Sequence, residues 1–137
     1  MRHPLTYIAL FVLVLAGCEK DDPVGPDPNN QTATFTDIQN TIFTTSCALS
    51  GCHAGASPQQ GMNLSAGQAY ANIVNVPSNE NPQMNRITPN DPDNSYLFLK
   101  ISGTNISGSR MPLGGSPLSD DKIAMVREWI EDGAPNN

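Results

Sequence analysis

The sequence predicts an all-α fold of about four short helices separated by long loops. Apolar residues recur at helical spacing in several segments, and each segment begins near a residue type that commonly caps helices. No alternating strand pattern or hairpin dipeptide of comparable quality is present. Twelve prolines, eleven glycines and 6% aromatic residues indicate a loop-rich domain whose small core would benefit from a staple or a cofactor.

The first predicted helix lies in "TATFTDIQNTIFTTSC". Thr36 and Gln39 form a possible capping box, and the helix would deliver the chain to Cys47. Its apolar residues at helical spacing are Phe35, Ile38 and Ile42.

Two short helices are predicted in the middle of the chain. In "LSAGQAYANIVNV", Ser65 is a candidate N-cap with Gln68 three residues later, and the helix would run to about Val74. In "NDPDNSYLFLKIS", Asp93 or Asn94 would cap a helix that carries two apolar residues one turn apart, Leu97 and Ile101.

The last helix has the clearest boundaries. Ser119 is the predicted N-cap, Leu118 and Ile123 would form a hydrophobic staple, and Gly133 followed by Pro135 would end the helix. Two aspartates lie in its first turn, where the helix dipole favours negative charge: Asp120 and Asp121. Its predicted apolar face consists of Ile123, Val126, Trp129 and Ile130.

Residues 1–17 resemble the signal peptide of a bacterial lipoprotein. After a cationic start, Leu5–Ala16 form an apolar run of twelve residues, too short to span a bilayer as a helix. The following "LAGC" resembles a lipobox, so Cys18 is the predicted lipidated first residue. The alternative is an ordinary secretory signal cut nearby, with Cys18 incidental.

The remainder divides into a tether and one domain. Residues 18–33 are polar and rich in Pro, Asp and Asn, which predicts a disordered tether, and residues 34–137 form the domain. Without the leader, six basic residues face thirteen acidic ones, a net charge of −7, which argues against a nucleic-acid partner. His53 is then the remaining histidine.

The sequence "SCALSGCH" places Cys47, Cys52 and His53 together. Covalent haem attachment normally uses Cys-x-x-Cys-His, whereas four residues separate the cysteines here. We favour haem, since Gly51 permits a tight backbone before Cys52 and only the adjacency of Cys52 and His53 is strictly required. A disulfide would leave His53 unexplained, and structural zinc needs four ligands where the mature chain offers three.

A haem iron held by His53 needs a methionine or an open position on its other face. Met111 in "SGSRMPLGG" is the favoured distal ligand, because small neighbours let this loop approach a flat ring. Met84 and Met62 are alternative distal ligands, whereas Met125 is predicted to be a core residue of the last helix. We expect His53 to donate its other ring N–H to a carbonyl near Pro58.

Basic side chains could offset the charges of the haem propionates. The candidates are Arg86, Lys100 and Arg110. We expect at least two of the three to lie in ordinary solvated surface.

Several motifs in this order resemble the small monohaem c-type cytochrome domains of the planctomycete-type cytochrome c family: "CALSGCH", "GMNLS", "ITPNDPDNSYLFLKISG", "RMP" and "LSDDKIAMVREWIEDGAP". The resemblance covers about residues 35–135. It implies a cytochrome c fold in which the first and last helices cross and one covalent haem lies in the cleft between the ligand loops. It also implies thioether bonds at Cys47 and Cys52, axial ligation by His53 and Met111, and a packing role for the "WI" of Trp129 and Ile130.

The expected function is one-electron transfer by an exported lipoprotein that is lipid-anchored to a bacterial membrane, on the periplasmic face or at the outer membrane or cell surface. A six-coordinate haem leaves no substrate site, so the chain is expected to be an electron carrier, alone or as a module of a larger oxidoreductase, with redox proteins as partners. Two alternatives remain at this stage. One is a five-coordinate haem peroxidase or gas or redox sensor; the other is a haem-free, disulfide-stapled binding lipoprotein.

Overall fold

A computed structural model describes residues 32–137, and they form an all-α arrangement with long loops. The α-helices are α1 (Phe35–Ile38), α2 (Ala69–Ile73), α3 (Tyr96–Ser102) and α4 (Asp120–Glu131). A π-helix continues α1 through Gln39–Cys47, and short 3₁₀ turns lie at Gln59–Gly61 and Pro92–Asn94. Within this part of the chain the only β-type pairings are three isolated bridges: Val74 with Ile87, Pro77 with Asn85, and Asn85 with Ser95. The predicted leader, Cys18 and almost all of the tether lie outside the described residues.

The N-cap of the first helix lies two residues earlier than predicted, at Thr34. The Thr34 hydroxyl accepts the N–H of Asp37, and the Asp37 carboxylate accepts the N–H of Thr34, which completes a capping box. The predicted box of Thr36 and Gln39 is wrong, because Gln39 is buried and donates its amide to the Leu64 carbonyl. The two boxes share the same residue spacing, so the pattern alone did not distinguish them.

The π-helical segment has wider turns than an α-helix, and it ends at the first cysteine of the motif. Its last backbone hydrogen bond runs from Ala48 N–H to the Phe43 carbonyl, five residues back, at 2.7 Å. The hydroxyls of Thr41 and Thr45 each donate to the carbonyl four residues earlier. Such back-bonding loosens helical geometry, and π-helical turns are rare and often occur at functional sites.

An aromatic cluster joins the two ends of the domain. The ring of Phe35 lies 5.5 Å from Trp129, 5.3 Å from Tyr70 and 6.2 Å from Phe43, centroid to centroid. Trp129 is fully buried and donates its indole N–H to the Pro135 carbonyl. This cluster packs α1 against α4, and it confirms the packing role expected of Trp129.

The boundaries of the middle helices differ from the predictions. α2 starts at Ala69, four residues after Ser65. Gly67, which lies between them, has a positive φ and is therefore not helical. α3 has Ser95 at its N-cap, whereas Asp91 caps the preceding 3₁₀ turn. All residues from Tyr96 to Ile101 are buried, so α3 is a central helix and has no solvent-exposed face there.

The last helix agrees with its prediction. Ser119 occupies the N-cap position, although its hydroxyl makes no capping hydrogen bond, and α4 ends before Gly133 at φ 92°. Val126, Trp129 and Ile130 are buried, and Met125 packs against the core as expected. Within residues 32–137, no helix is both long enough and apolar enough to cross a membrane.

The capping box yields a stability prediction. Thr34→Ala removes the N-cap oxygen and should lower the free energy of unfolding by about 1 kcal/mol. The hydrogen bonds from Thr34 also hold the pKa of Asp37 below its ordinary value of 3.8. A carboxyl with a lowered folded-state pKa contributes stability above its unfolded pKa and loses it as pH falls through the folded one. The destabilisation by Thr34→Ala should therefore diminish in strongly acidic solution.

Urea denaturation at neutral and acidic pH checks this prediction, with Thr32→Ala as the control for an exposed threonine outside the box. Equal losses for the two variants at neutral pH would contradict it.

Candidate functional site

One cleft of about 910 Å³ brings the predicted site residues together. Its lining includes Cys47, Cys52, His53 and Met111, which come from sequence segments almost sixty residues apart. The volume falls within the roughly 300–1,000 Å³ typical of small-molecule and cofactor sites. Apolar side chains around these residues include Phe43, Leu64, Leu97 and Ile101.

The four residues between the cysteines form a compact turn. The Cys52 N–H donates to the Leu49 carbonyl at 3.0 Å, and the His53 N–H donates to the Cys47 carbonyl at 3.1 Å. Gly51 has φ 78°, the left-handed conformation that favours glycine, so the expected tight backbone at this position is confirmed. These bonds place both thiols and the imidazole on one short closed loop.

The two thiols differ in environment, and neither forms a disulfide. Cys52 is exposed, whereas Cys47 is half-buried at the end of the π-helix. Burial, aided by the nearby Cys52, raises the pKa of Cys47 to about 11. Cys47 is therefore a neutral thiol at physiological pH.

His53 presents one nitrogen to a backbone carbonyl, as predicted. Its Nδ1 lies 3.2 Å from the carbonyl oxygen of Gln59, the residue after Pro58. Because a carbonyl oxygen can only accept, Nδ1 carries the proton and Nε2 holds the free lone pair. Burial lowers the pKa of His53, and the charge of Arg86 adds to this effect against the opposing backbone hydrogen bonds. The neutral imidazole is the form that ligates metals.

Met111 approaches the cleft on a loop tied to the end of α3. Its N–H donates to the Lys100 carbonyl at 2.9 Å, and Arg110 Nε donates to the Ile101 carbonyl at 2.8 Å. Met111 is half-buried and lies beside Pro112 and Gly114 in the cleft wall. These contacts fix the loop at both Arg110 and Met111.

The other two candidate methionines differ in position. Met62 also lines the cleft, but its backbone follows directly on the turn that holds the His53 ring. Met84 packs against the core and is not among the residues that line the cleft. Of the three, Met111 is the one brought to the cleft by a segment distant from His53.

The expectation that at least two of the three basic residues are solvated is wrong. Arg86 is 6% exposed and Lys100 is 7% exposed, and both line the cleft; Arg110 is half-buried. Lys100 Nζ pairs with Glu80 at 3.1 Å and donates to the Ser107 carbonyl at 2.9 Å. The long aliphatic stems of these side chains allow burial when the charged end finds oxygen partners.

Sequence reasoning missed the pair of Glu80 with Lys100, and it expected a carbonyl near Pro58 for His53 without identifying Gln59. Glu80 joins the cleft wall through Lys100, twenty residues away, and Gln59 acts through its carbonyl oxygen. No periodicity or motif marks either contact. Every residue has a backbone carbonyl, so the side chain of Gln59 does not reveal that its carbonyl accepts from His53.

The cleft holds the donors that a covalent haem would use. Among residues 32–137, no group of three or more His, Cys, Asp or Glu side chains is placed to share a metal ion. A haem iron would take only His53 and Met111 from this chain, while Cys47 and Cys52 would bond to the ring substituents. The free thiols, the free Nε2 and the apolar cleft fit that group.

Comparison with known proteins gave no match: no family model, no curated protein and no solved structure matches this chain.

The attachment of the Met111 loop yields a prediction. Gly103 ends α3 at φ 78°, and a Cβ there would lie 2.8 Å from Cδ of Arg110. Gly67 has almost the same φ, 77°, but a Cβ there would meet nothing within 4 Å. Both glycine-to-alanine variants should lose about 1–2 kcal/mol from backbone strain. Gly103→Ala should lose more, because Arg110 must move.

Chemical denaturation of both variants measures the difference. Equal losses would show that the Arg110 contact has no energetic weight.

Proposed function

We propose that this chain binds one c-type haem and carries single electrons. Cys47 and Cys52 would form the thioether bonds, and His53 and Met111 would be the axial ligands. The observation that carries the proposal is that these four residues, from two distant segments of the sequence, line one apolar cleft. The bound haem would supply the Fe(III)/Fe(II) couple.

The residues of the chain have separate tasks in this function. The Gln59 carbonyl fixes the tautomer and the orientation of the His53 ring, which keeps Nε2 available. The Lys100 carbonyl fixes the backbone of Met111. With both axial positions taken by the protein, no site for a substrate would remain, which favours electron transfer over catalysis. The apolar walls would exclude water and favour the ferrous state.

The proposal includes a cytochrome c-like fold and a tether. The contact of α1 with α4 through Phe35 and Trp129 is compatible with the expected crossing of the first and last helices. The "LAGC" motif favours a lipid on Cys18 and export to a membrane surface, where redox proteins would be the partners. The net charge of −7 after removal of the leader favours partners with a basic docking face.

Haem attachment is tested by export of the full chain from a host that has a haem-maturation system. We expect a pyridine haemochrome spectrum of the c type and an intact mass increased by one haem. The control is the double variant Cys47→Ala/Cys52→Ala, which should lack covalent haem. A wild-type chain exported without the added mass would refute the proposal.

The distal ligand is tested by Met111→Ala. This variant should keep its covalent haem, change from low-spin to high-spin in the ferric state, and have a lower reduction potential, because methionine favours ferrous iron. Visible absorption and electron paramagnetic resonance spectra measure the spin state. Met62→Ala, in the same cleft, and Met84→Ala, outside it, are the controls and should stay low-spin. A low-spin Met111→Ala protein would assign ligation elsewhere.

A further inference from the structure

Arg86 is a buried cation whose side chain bridges two carbonyl groups. Its guanidinium donates to the Asn72 carbonyl at 2.7 Å and to the Gln60 carbonyl at 2.9 Å. No carboxylate pairs with it among residues 32–137. Burying a charge with only neutral partners costs free energy. We therefore ask which part of the site the two hydrogen bonds of Arg86 hold in place.

The Gln60 carbonyl belongs to the turn beneath His53. Asn79 Nδ2 also donates to it, at 2.7 Å, so two side chains from outside the turn fix one oxygen. Gln60 has φ 54° and ψ 21°, a left-handed conformation that is sparsely populated by residues other than glycine, asparagine and aspartate. Such strained residues persist where the surroundings over-determine them, and they concentrate at functional sites.

The conformation of Gln60 determines the direction of the carbonyl that holds His53. The φ angle of Gln60 sets the orientation of the Gln59–Gln60 peptide plane, which carries the Gln59 carbonyl. That oxygen accepts from His53 Nδ1 at 3.2 Å and from the Met62 N–H at 3.1 Å. The chain of contacts therefore runs from Arg86 and Asn79, through Gln60, to the imidazole.

The backbone of Arg86 is hydrogen-bonded to two other segments of the chain. Its N–H donates to the Val76 carbonyl at 2.7 Å, and its carbonyl accepts from the Leu97 N–H at 2.9 Å, at the start of α3. Arg86 therefore connects the His53 turn to α2 through its side chain, which donates to Asn72, and to α3 through its backbone carbonyl, which accepts from Leu97. Arg86 and Asn79 both bond the turn through the Gln60 carbonyl.

We propose that Arg86 is a positioning residue for His53, which fixes the Gln59 carbonyl against Nδ1 and thereby sets the reduction potential of the iron. The inference rests on the proposed function. A strong hydrogen bond from Nδ1 makes the imidazole a better donor and stabilises ferric iron. Loosening the turn weakens that bond, favours ferrous iron and raises the potential. Loss of positive charge near the iron would act in the opposite direction.

Because the two effects shift the reduction potential in opposite directions, variants can separate the positioning role of Arg86 from the effect of its charge. Arg86→Lys keeps the positive charge but loses the planar fork that bridges two carbonyls. Asn79→Ala removes the second donor to Gln60 without a change of charge. Arg127→Lys is the matched control, because it makes the same substitution on the exposed side of α4, where Arg127 pairs with Asp93 and Glu131.

The measurements are the midpoint potential of the exported haem protein and the exchange rate of the His53 Nδ1 proton in the ferrous state by nuclear magnetic resonance. We expect Arg86→Lys and Asn79→Ala to shift the reduction equilibrium about tenfold toward ferrous iron, about +59 mV for one electron. Their Nδ1 proton should exchange about tenfold faster. Arg127→Lys should match the wild type in both measurements.

A potential and exchange rate unchanged from wild type in Arg86→Lys and Asn79→Ala would overturn the inference. A lower potential in Arg86→Lys would also overturn it, because a weaker hydrogen bond from His53 Nδ1 should raise the potential. If Arg86→Lys fails to fold, Asn79→Ala decides, since Asn79 is exposed. A wild-type chain without covalent haem overturns the proposed function and this inference together, whereas an attached haem with unresponsive variants overturns this inference alone.

Discussion

The packing of Phe35 against Trp129 supports the rest of the described structure, because it closes the domain end to end. Phe35 lies in the first turn of α1 and Trp129 in the third turn of α4, and their ring centroids are 5.5 Å apart. Asn137 reinforces this closure, since its side-chain and backbone oxygens accept the N–H groups of Phe35 and Thr36. Truncating a buried aromatic residue of this kind typically costs about 3–5 kcal/mol, a large part of the roughly 5–15 kcal/mol that stabilises a small domain.

The cleft depends on this frame, but its walls are loops. The Cys47–His53 loop, the Gln59–Gly61 turn and the Met111 loop owe their shapes to backbone hydrogen bonds and to a few buried polar side chains. α3 supplies the central wall, because it is buried on all sides from Tyr96 to Ile101. Its two ends carry the contacts that matter for the site: Leu97 holds Arg86 at the start, and Lys100 holds Met111 at the end. A rigid central helix thus sets the distance between the His53 side and the Met111 side of the cleft.

Sequence patterns were reliable where one local interaction decides the outcome. Periodicity identified the buried faces of the first and last helices, and Gly51 was identified as the residue that permits the tight turn before Cys52. The patterns were unreliable where two local solutions are equivalent, as with the capping boxes that begin at Thr34 and at Thr36. Burial of Gln39 against Leu64 decided that case, and this contact spans twenty-five residues.

By itself, the sequence determined the all-α class, the approximate positions of the helices and the residue types capable of binding a haem, since these follow from short-range spacing and side-chain chemistry. Only the tertiary structure decided that Cys47, Cys52, His53 and Met111 share one cleft, that Met84 lies outside it, and that Arg86 and Lys100 are buried. It also decided which carbonyl holds His53. These outcomes depend on contacts between segments distant in the chain and on backbone atoms, and every residue carries the same backbone groups whatever its identity.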